Sequence, residues 1–476
     1  MNIRRNQYKL IILLFFVSLT WAACRVGREY QRPALELPAH YNRETTADTS
    51  DIAQIKWDAF FKDTTLVRLI GEGLRHNYDL QIALKKIEAA QQQVKQAKLL
   101  WLPGMDLQVS AQTSRPSDKS LTGASIGNFP GTNHIEDYSA ALSLSWEADI
   151  WGKIRSQKEA TVASYLQTAD VARAVRTRLI TDIARSYYNL LMLDEQMSIS
   201  QENLALRDST LQLTRLLKQA GQVTTLAMQQ AEAQKQFTAG FIHQLQMDIS
   251  LQEHALNILT GEMPDTIATK TQLSQLAVPD TLSAGVPATL VSRRPDVRAS
   301  EMALVAANAR TGIAKADLYP SLDITASGGV NAFKASDWFN VPAALFGLVA
   351  GTVAQPIFRH RQLKTNWEVA KIQQEEAVLA FRQAVLNAVG EVSDVLVQIK
   401  QLKEEQAITA NRVHTLQQAV SNAQLLFKSG MANYLEVITA QQNALEAELS
   451  LADVKRQRLT AAVELYRSLG GGSQAE

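Results

Sequence analysis

Val378, Phe381, Val385, Ala388, Val392, Val395, Ile399 and Leu402 recur in alternating steps of three and four residues. After a polar interruption at Gln406 and Thr409 the same steps resume with Val413, Leu416, Val420, Ala423 and Phe427. An apolar residue every 3.5 positions is the seam of a helix that packs lengthwise on other helices. No proline follows Pro356. The spacing therefore predicts one helix over about 359–428, roughly 100 Å long at 1.5 Å per residue. That is about three times the hydrocarbon thickness of a bilayer. The segment is also rich in Gln, Glu and Lys, which excludes lipid. Such a rod must lie in water against neighbours along its length.

A second rod is predicted over about 153–219, and the punctuation around the two rods repeats. The first ends at Ala220-Gly221-Gln222-Val223 and the second at Ser429-Gly430-Met431-Ala432. Leucine follows each glycine five residues on, at Leu226 and Leu435. Returning helices are then expected over about 225–260 and 433–468, ending at Gly261 and Gly470. Upstream, Trp101-Leu102-Pro103-Gly104-Met105-Asp106 parallels Leu318-Tyr319-Pro320-Ser321-Leu322-Asp323, and Ile150-Trp151 parallels Ile357-Phe358. The expected fold is mainly α with a small β part: two tandem repeats, at 61–261 and 295–468, each with a β-hairpin and a long α-hairpin.

The β part rests on a period of two. Met105, Leu107, Val109 and Ala111 alternate with Asp106, Gln108, Ser110 and Gln112, which predicts a strand over about 104–113. Tyr138, Ala140, Leu142, Leu144 and Trp146 predict a second over about 138–148. The other repeat offers Leu322, Ile324 and Ala326 in a strand over about 321–330. Its partner over about 344–355 alternates poorly. These lengths suit membrane-spanning strands of about 9–11 residues, or a soluble hairpin packed on the rods. If they span a membrane, one chain is not enough. An open sheet edge is not tolerated in lipid, and the smallest single-chain barrels have about eight strands. Several copies must then pool their strands, and the long apolar seams ask for neighbours as well.

At the N-terminus, Arg4, Arg5 and Lys9 precede an apolar run from Leu10 to Leu19 that is too short to span stably. Ala22-Ala23 then precede Cys24, the sole cysteine of the chain. Residues 1–23 are expected to be an export signal. The stretch resembles a bacterial lipobox, which implies that Cys24 becomes the acylated N-terminus of a lipoprotein, although Trp21 stands where a medium aliphatic residue is usual; the alternative is an ordinary signal peptide cut near here with an incidental cysteine. Residues 24–60 are expected to be a lipidated, extended tail, 262–294 a proline-containing connector, and 469–476 a free C-terminal tail. In Arg293-Arg294-Pro295-Asp296-Val297-Arg298, proline in the first turn and aspartate beside the positive end of the helix dipole predict a helix start.

Net charge is +1, so no basic excess exists for binding nucleic acid. The sequence has no HExxH, P-loop, GxSxG or zinc-type cysteine pairs. The histidines are scattered, and His243 and His254 fit helix surfaces. No catalytic residue, metal ligand or cofactor is expected, and no enzyme activity.

Several stretches together carry a resemblance. They are Cys24-Arg25-Val26-Gly27-Arg28-Glu29-Tyr30-Gln31-Arg32-Pro33, Trp57-Asp58-Ala59-Phe60-Phe61-Lys62-Asp63, Arg293-Arg294-Pro295-Asp296-Val297, and the two turns after Gly221 and Gly430. Over nearly the whole mature chain the sequence resembles the TolC-like outer-membrane efflux proteins, in their lipoprotein (NodT-type) branch. The resemblance implies a homotrimer in the outer membrane of a Gram-negative bacterium, lipid-anchored by palmitate-type acylation at Cys24. Its strands would form a 12-stranded β-barrel and its helices a 12-helix periplasmic α-barrel. It also implies the role of exit duct in a tripartite pump, with a periplasmic adaptor (membrane fusion protein) and an inner-membrane transporter of RND type as partners, passing small molecules such as drugs. A protein-secretion duct and a non-pore structural coiled-coil lipoprotein are the alternatives. By the same resemblance the periplasmic gate falls at Leu435, Glu436, Thr439 and Gln442. Glu436 stands at an acidic-ring position and Leu435 at an apolar constriction. Thr439 replaces a common aspartate, Gln442 an arginine of some relatives, and Ala432 an arginine that latches some members closed. The gate is therefore expected to close by apolar packing of Leu435, Val437 and Phe427. The helix-tip turns Gly221, Gln222, Val223 and Gly430, Met431, Ala432 are expected to contact the adaptor.

Overall fold

A computed structural model describes residues 26–35, 37–38, 52–117, 119–126, 134–269, 271–277, 287 and 290–473. The export segment 1–23, Cys24 and part of the 262–294 connector lie outside the described residues. The labelled elements, in order, are α1 (Thr64–His76), α2 (Tyr78–Ala97), β1 (Gly104–Ser114), β2 (Ile135–Glu147), α3 (Lys153–Gln219), α4 (Thr225–Thr260), α5 (Pro295–Ala316), β3 (Ser321–Ala332), β4 (Leu345–Ala354), α6 (Gln362–Lys428) and α7 (Tyr434–Ser468). Short helical turns lie at Trp57–Phe60, Leu121–Ile126 and Leu290–Arg293. The chain divides into two compact units, one of residues 1–33, 89–166 and 302–379, the other of 34–88, 167–301 and 380–476.

The first unit holds an antiparallel four-stranded sheet in the order β1-β2-β3-β4. Its register sorts the side chains by face, because residues directly opposite across a ladder point the same way. Leu107 pairs with Leu142, Leu144 with Ala326, and Ala326 with Val349. This gathers Met105, Leu107 and Val109, then Leu142, Leu144 and Trp146, then Leu322 and Ile324, then Val349 and Val353 on one apolar face. Gln108, Ser143, Thr325 and Ser327 share the other. The poor alternation over 344–355 has its reason here. Phe346 and Leu348 fall on the otherwise polar face, beside Gly329 and Ser327. Gly329 has no room for a side chain, since a Cβ there would collide with the Ala140 carbonyl of β2. Every residue of β1 is exposed, and among the described residues β1 and β4 have no partner on their outer edges.

The strand ends in this unit are tied to flanking backbone. Trp146 Nε1 donates to the Trp101 carbonyl at 2.8 Å and Trp151 Nε1 to the Pro320 carbonyl at 2.7 Å. The Trp151 ring stacks on Tyr319 with centroids 4.8 Å apart. The segment just after Cys24 is docked too: Asn308 Nδ2 donates to the Arg28 carbonyl at 3.0 Å and Lys315 Nζ to the Val26 carbonyl at 3.2 Å. The α6 helix starts at Gln362, three residues later than the periodicity suggests. His360 and Arg361 take positive φ, 49° and 63°, which breaks a right-handed helix before it can begin.

The second unit packs α1 and the first-repeat hairpin around Leu66, Ile70, Ile183, Tyr187, Leu191 and Leu256. Here the four punctuating glycines share one chemistry. Gly221, Gly261, Gly430 and Gly470 have φ of 72°, 81°, 70° and 87°. In each case the next residue's amide reaches back five positions to a carbonyl: Gln222 to Leu217, Glu262 to Asn257, Met431 to Leu426, and Gly471 to Tyr466. This Schellman turn needs a left-handed residue, and glycine takes it without a Cβ penalty. The C-terminal segment is not a free tail over its described part. Residues 469–472 are buried, and a Cβ on Gly471 would come within 2.5 Å of the Tyr466 ring. Tyr466 itself stacks on Phe60 at 4.3 Å and donates to the Ile55 carbonyl at 2.7 Å.

In the 293–298 motif, Asp296 accepts from the Val297 amide at 2.9 Å and from Arg294 Nε and Nη2 at 3.0 and 2.6 Å. Arg294 is 3% exposed. Its Nη1 also donates to Glu391 at 2.9 Å and to the Ser468 carbonyl at 3.2 Å, which joins α5, α6 and the end of α7.

Candidate gate and helix tips

The tip region lies in the second unit and is built by the two Schellman turns and the helices they join. Inside it, Leu211 of α3, Ala231 of α4, Phe427 of α6, and Tyr434 and Val437 of α7 form a separate small apolar cluster. Three residues, Leu435, Val437 and Phe427, are those expected to close the gate by apolar packing. Val437 (1% exposed) and Phe427 (4%) are already buried within their own chain. Of the three only Leu435, at 63% exposure, remains available to another copy.

Glu436 does two things at the start of α7. Its amide donates to Asn433 Oδ1 at 3.1 Å, and its Oε2 accepts from the Asn433 amide at 3.1 Å. This is a reciprocal capping box, which satisfies two helix-end amides. The side chain is exposed, as is Thr439. Gln442 is partly buried and accepts from Arg207 Nη2 at 2.9 Å.

The two turns border an open groove of about 430 Å³, lined by Gln222, Val223 and Leu226 from one side and by Gly430, Ala432 and Leu435 from the other. Met431 is exposed beside it, and Gly221 faces open space. Four of the six expected tip contacts, Gln222, Val223, Gly430 and Ala432, therefore share one concave surface with the exposed Leu435.

Sequence reasoning missed Arg207. It is 2% exposed and sits on α3 among helices. Nε donates to Asn203 Oδ1 at 2.6 Å, Nη1 to Gln234 Oε1, and Nη2 to Gln442 Oε1. Next to it Gln441 Nε2 donates to Thr210 Oγ1 at 2.9 Å. Burial lowers the Arg207 guanidinium from its ordinary pKa, and Tyr434 offsets only part of this. The Tyr434 hydroxyl is pushed up to about 12, mainly by burial. A signal was present in the sequence. Ser200, Asn203, Arg207, Thr210 and Thr214 step by three and four, which is seam spacing carried by polar residues, and all five are buried.

Among the described residues, no group of three or more His, Cys, Asp or Glu is placed to hold a metal ion, and no helix is long and apolar enough to cross a membrane. The second statement leaves the strands aside.

The comparisons agree with this architecture. The family described as outer membrane efflux protein matches residues 69–261 and 286–471, one segment per repeat. The cation efflux system protein CusC of Escherichia coli K12 is 28% identical over 97% of this chain and 99% of its own length. The toluene efflux pump outer membrane protein TtgI of Pseudomonas putida is also 28% identical, over 97% and 98%. Among solved structures, the outer-membrane channel OprN superposes with a TM-score of 0.86 at 26% identity, over 95% of this chain and all of that one. The open state of the Neisseria gonorrhoeae MtrE outer membrane channel gives 0.84 at 25%, over 95% and 99%. With family segments on both repeats, full-length relatives and channel structures of the same fold, the chain belongs to the outer membrane efflux protein family and is an outer-membrane efflux channel.

Proposed function

We propose that this channel protein is the exit duct of a tripartite pump. Three copies pool their four-stranded sheets into a 12-stranded barrel and their long helices into a 12-helix periplasmic tunnel. The observation that carries this reading is the sheet. It has one apolar face, one largely polar face and two unpaired edges. Lipid tolerates no unpaired edge, so the β4 edge of one copy must meet the β1 edge of the next until the ring closes. A periplasmic adaptor docks at the tip groove, on Gln222, Val223, Gly430 and Ala432. An inner-membrane transporter of the RND type delivers the cargo, and acylated Cys24 adds a lipid anchor. Two relatives are named for the efflux of cations and of toluene, and small molecules, drugs included, are the cargo class we assign to this chain. The gate is formed at Leu435 and Glu436, with Thr439 and Gln442 one and two turns further along α7. The duct supplies a route and no chemistry.

The test is accumulation of a fluorescent efflux dye in a strain lacking the gene. Retention of dye that is reversed by restoring the gene supports the duct. Unchanged accumulation in a strain stripped of its other efflux channels would overturn it.

A further inference from the structure

The two junctions where a strand hands over to a long helix are parallel in sequence and opposite in character. In the first repeat, Ile150-Trp151-Gly152-Lys153 turns at Gly152, whose φ of 76° is left-handed and costs a glycine nothing. That junction is packed. Trp151 is held by the Pro320 carbonyl and the Tyr319 ring, and Lys153 Nζ pairs with Glu147 at 3.1 Å and Asp317 at 3.3 Å. In the second repeat, Ile357-Phe358-Arg359-His360-Arg361 turns without a glycine. His360 and Arg361 both stand in the left-handed region, where a Cβ crowds the backbone. Ile357 and Phe358 are left in the open, at 95% and 78% exposure. Strain that glycine would remove points to a use for the side chains that keep it.

Those side chains are basic. Arg359, His360, Arg361 and Lys364 fall close together in the chain, and all four are exposed. Among the described residues, the side chains of Arg359 and Lys364 have no hydrogen bond or ion pair. The carboxylates that share a cavity with Arg359 are already engaged: Glu147 and Asp317 by Lys153, and Asp149 by the Ile154 and Arg155 amides at the start of α3. Arg361 reaches Glu368 at 3.0 Å, and the His360 ring lies 5.0 Å from that of Phe358. The turn follows directly on β4, whose Val349 and Val353 lie on the apolar face of the sheet. Exposed apolar side chains and then uncommitted cations thus succeed one another along the chain. At the same end of the sheet, β1 is entered through Lys98, Leu99, Trp101 and Leu102, and the apolar three are again exposed.

We infer that the turn between β4 and α6 is a headgroup site for an anionic phospholipid of the leaflet that faces the long helices. Ile357 and Phe358 enter the acyl region, and Arg359, Arg361 and Lys364 hold the phosphate. A guanidinium offers a phosphate two parallel N–H donors, and the order apolar then basic matches the order of hydrocarbon and headgroup at a bilayer surface. The inference rests on the reading of the apolar sheet face as lipid-facing. It adds the class of lipid and the residues that select it.

The test is native mass spectrometry of the purified, delipidated channel, titrated with phosphatidylglycerol and with phosphatidylcholine of the same chains. Wild type is expected to bind phosphatidylglycerol the more tightly. Arg359→Gln with Lys364→Gln should weaken phosphatidylglycerol on the order of tenfold and leave phosphatidylcholine unchanged. His360→Gly with Arg361→Gly should unfold at a higher temperature, because the strain is gone, and yet bind phosphatidylglycerol severalfold more weakly. Unchanged phosphatidylglycerol binding in either double variant overturns the inference. So does equally tight binding of sn-glycerol 3-phosphate, which has the phosphate and no chains. Phe358→Ser should weaken both lipids alike. An assembly that instead falls into single chains with its lipid binding intact would give the apolar pair to a second copy and overturn the lipid site. Wild-type protein that carries no current in planar bilayers would overturn the channel reading instead, and lipid binding in detergent is read independently of that current.

Discussion

Glu436 shows how one side chain can carry two assignments that a single substitution separates. Its carboxylate closes a capping box with Asn433, and glutamine serves equally well at that position of the box. Glu436→Gln should therefore leave the start of α7 intact while removing a charge from each copy of the proposed trimer. The expected outcome is a reduced preference for cations in planar-bilayer reversal potentials, with unchanged thermal unfolding. An unchanged preference would remove Glu436 from the pore axis. Asp296 offers a second test. Burial raises its carboxyl, but the Arg294 hydrogen bonds and charge, with the Val297 amide, outweigh this and hold it below the ordinary carboxylate range. A lowered folded-state pKa means stability that is fully present above the unfolded value near 3.8 and is lost as pH falls through the folded one. Asp296→Asn should lower the unfolding temperature by a few degrees at neutral pH. The gap to wild type should narrow only once the pH drops below about 4. A gap that closes already between neutral pH and that point would contradict the assignment.

At the scale of elements, the local signals were legible and the tertiary ones were not. Heptad steps, Schellman glycines and strand alternation are properties of neighbouring residues, so α3, α4, α7 and β1 can be read directly from their own segments. The start of α6 was hidden because His360 and Arg361 carry no glycine-like signal for their positive φ. The packed end at Gly471 was hidden because three glycines suggest freedom, while their place against Tyr466 depends on residues 55–60 far upstream. Arg207 was hidden because a charged residue on a long helix is ordinarily at the surface. Its burial is set by α4 and α7 together. The sheet register makes an element-scale prediction. Val349 lies on the apolar face and Thr325 on the polar one. Val349→Arg should cost about 2–4 kcal/mol if it sits near the bilayer midplane, and should deplete the protein from outer-membrane fractions. Thr325→Arg should be tolerated. Equal loss in both would mean that the apolar face does not meet lipid.

For the whole molecule, the candidate site was only half visible in the sequence. The exposed Leu435 and the two tip turns could be placed from the repeat and the family resemblance. The burial of Val437 and Phe427 could not, because it depends on both repeats meeting within one chain. The open sheet edges have a kinetic side too. A chain that cannot complete its own ladder spends its time before assembly with β1 and β4 presenting unpaired amides and carbonyls beside Leu107, Val349 and Val353. Such edges pair indiscriminately. In the proposed trimer, productive closure needs three such chains to meet, so its rate rises steeply with chain supply, whereas a single misdirected pairing needs only two. Yield should consequently pass through a maximum as expression increases, with excess chains diverted into aggregates once pairwise encounters outpace insertion.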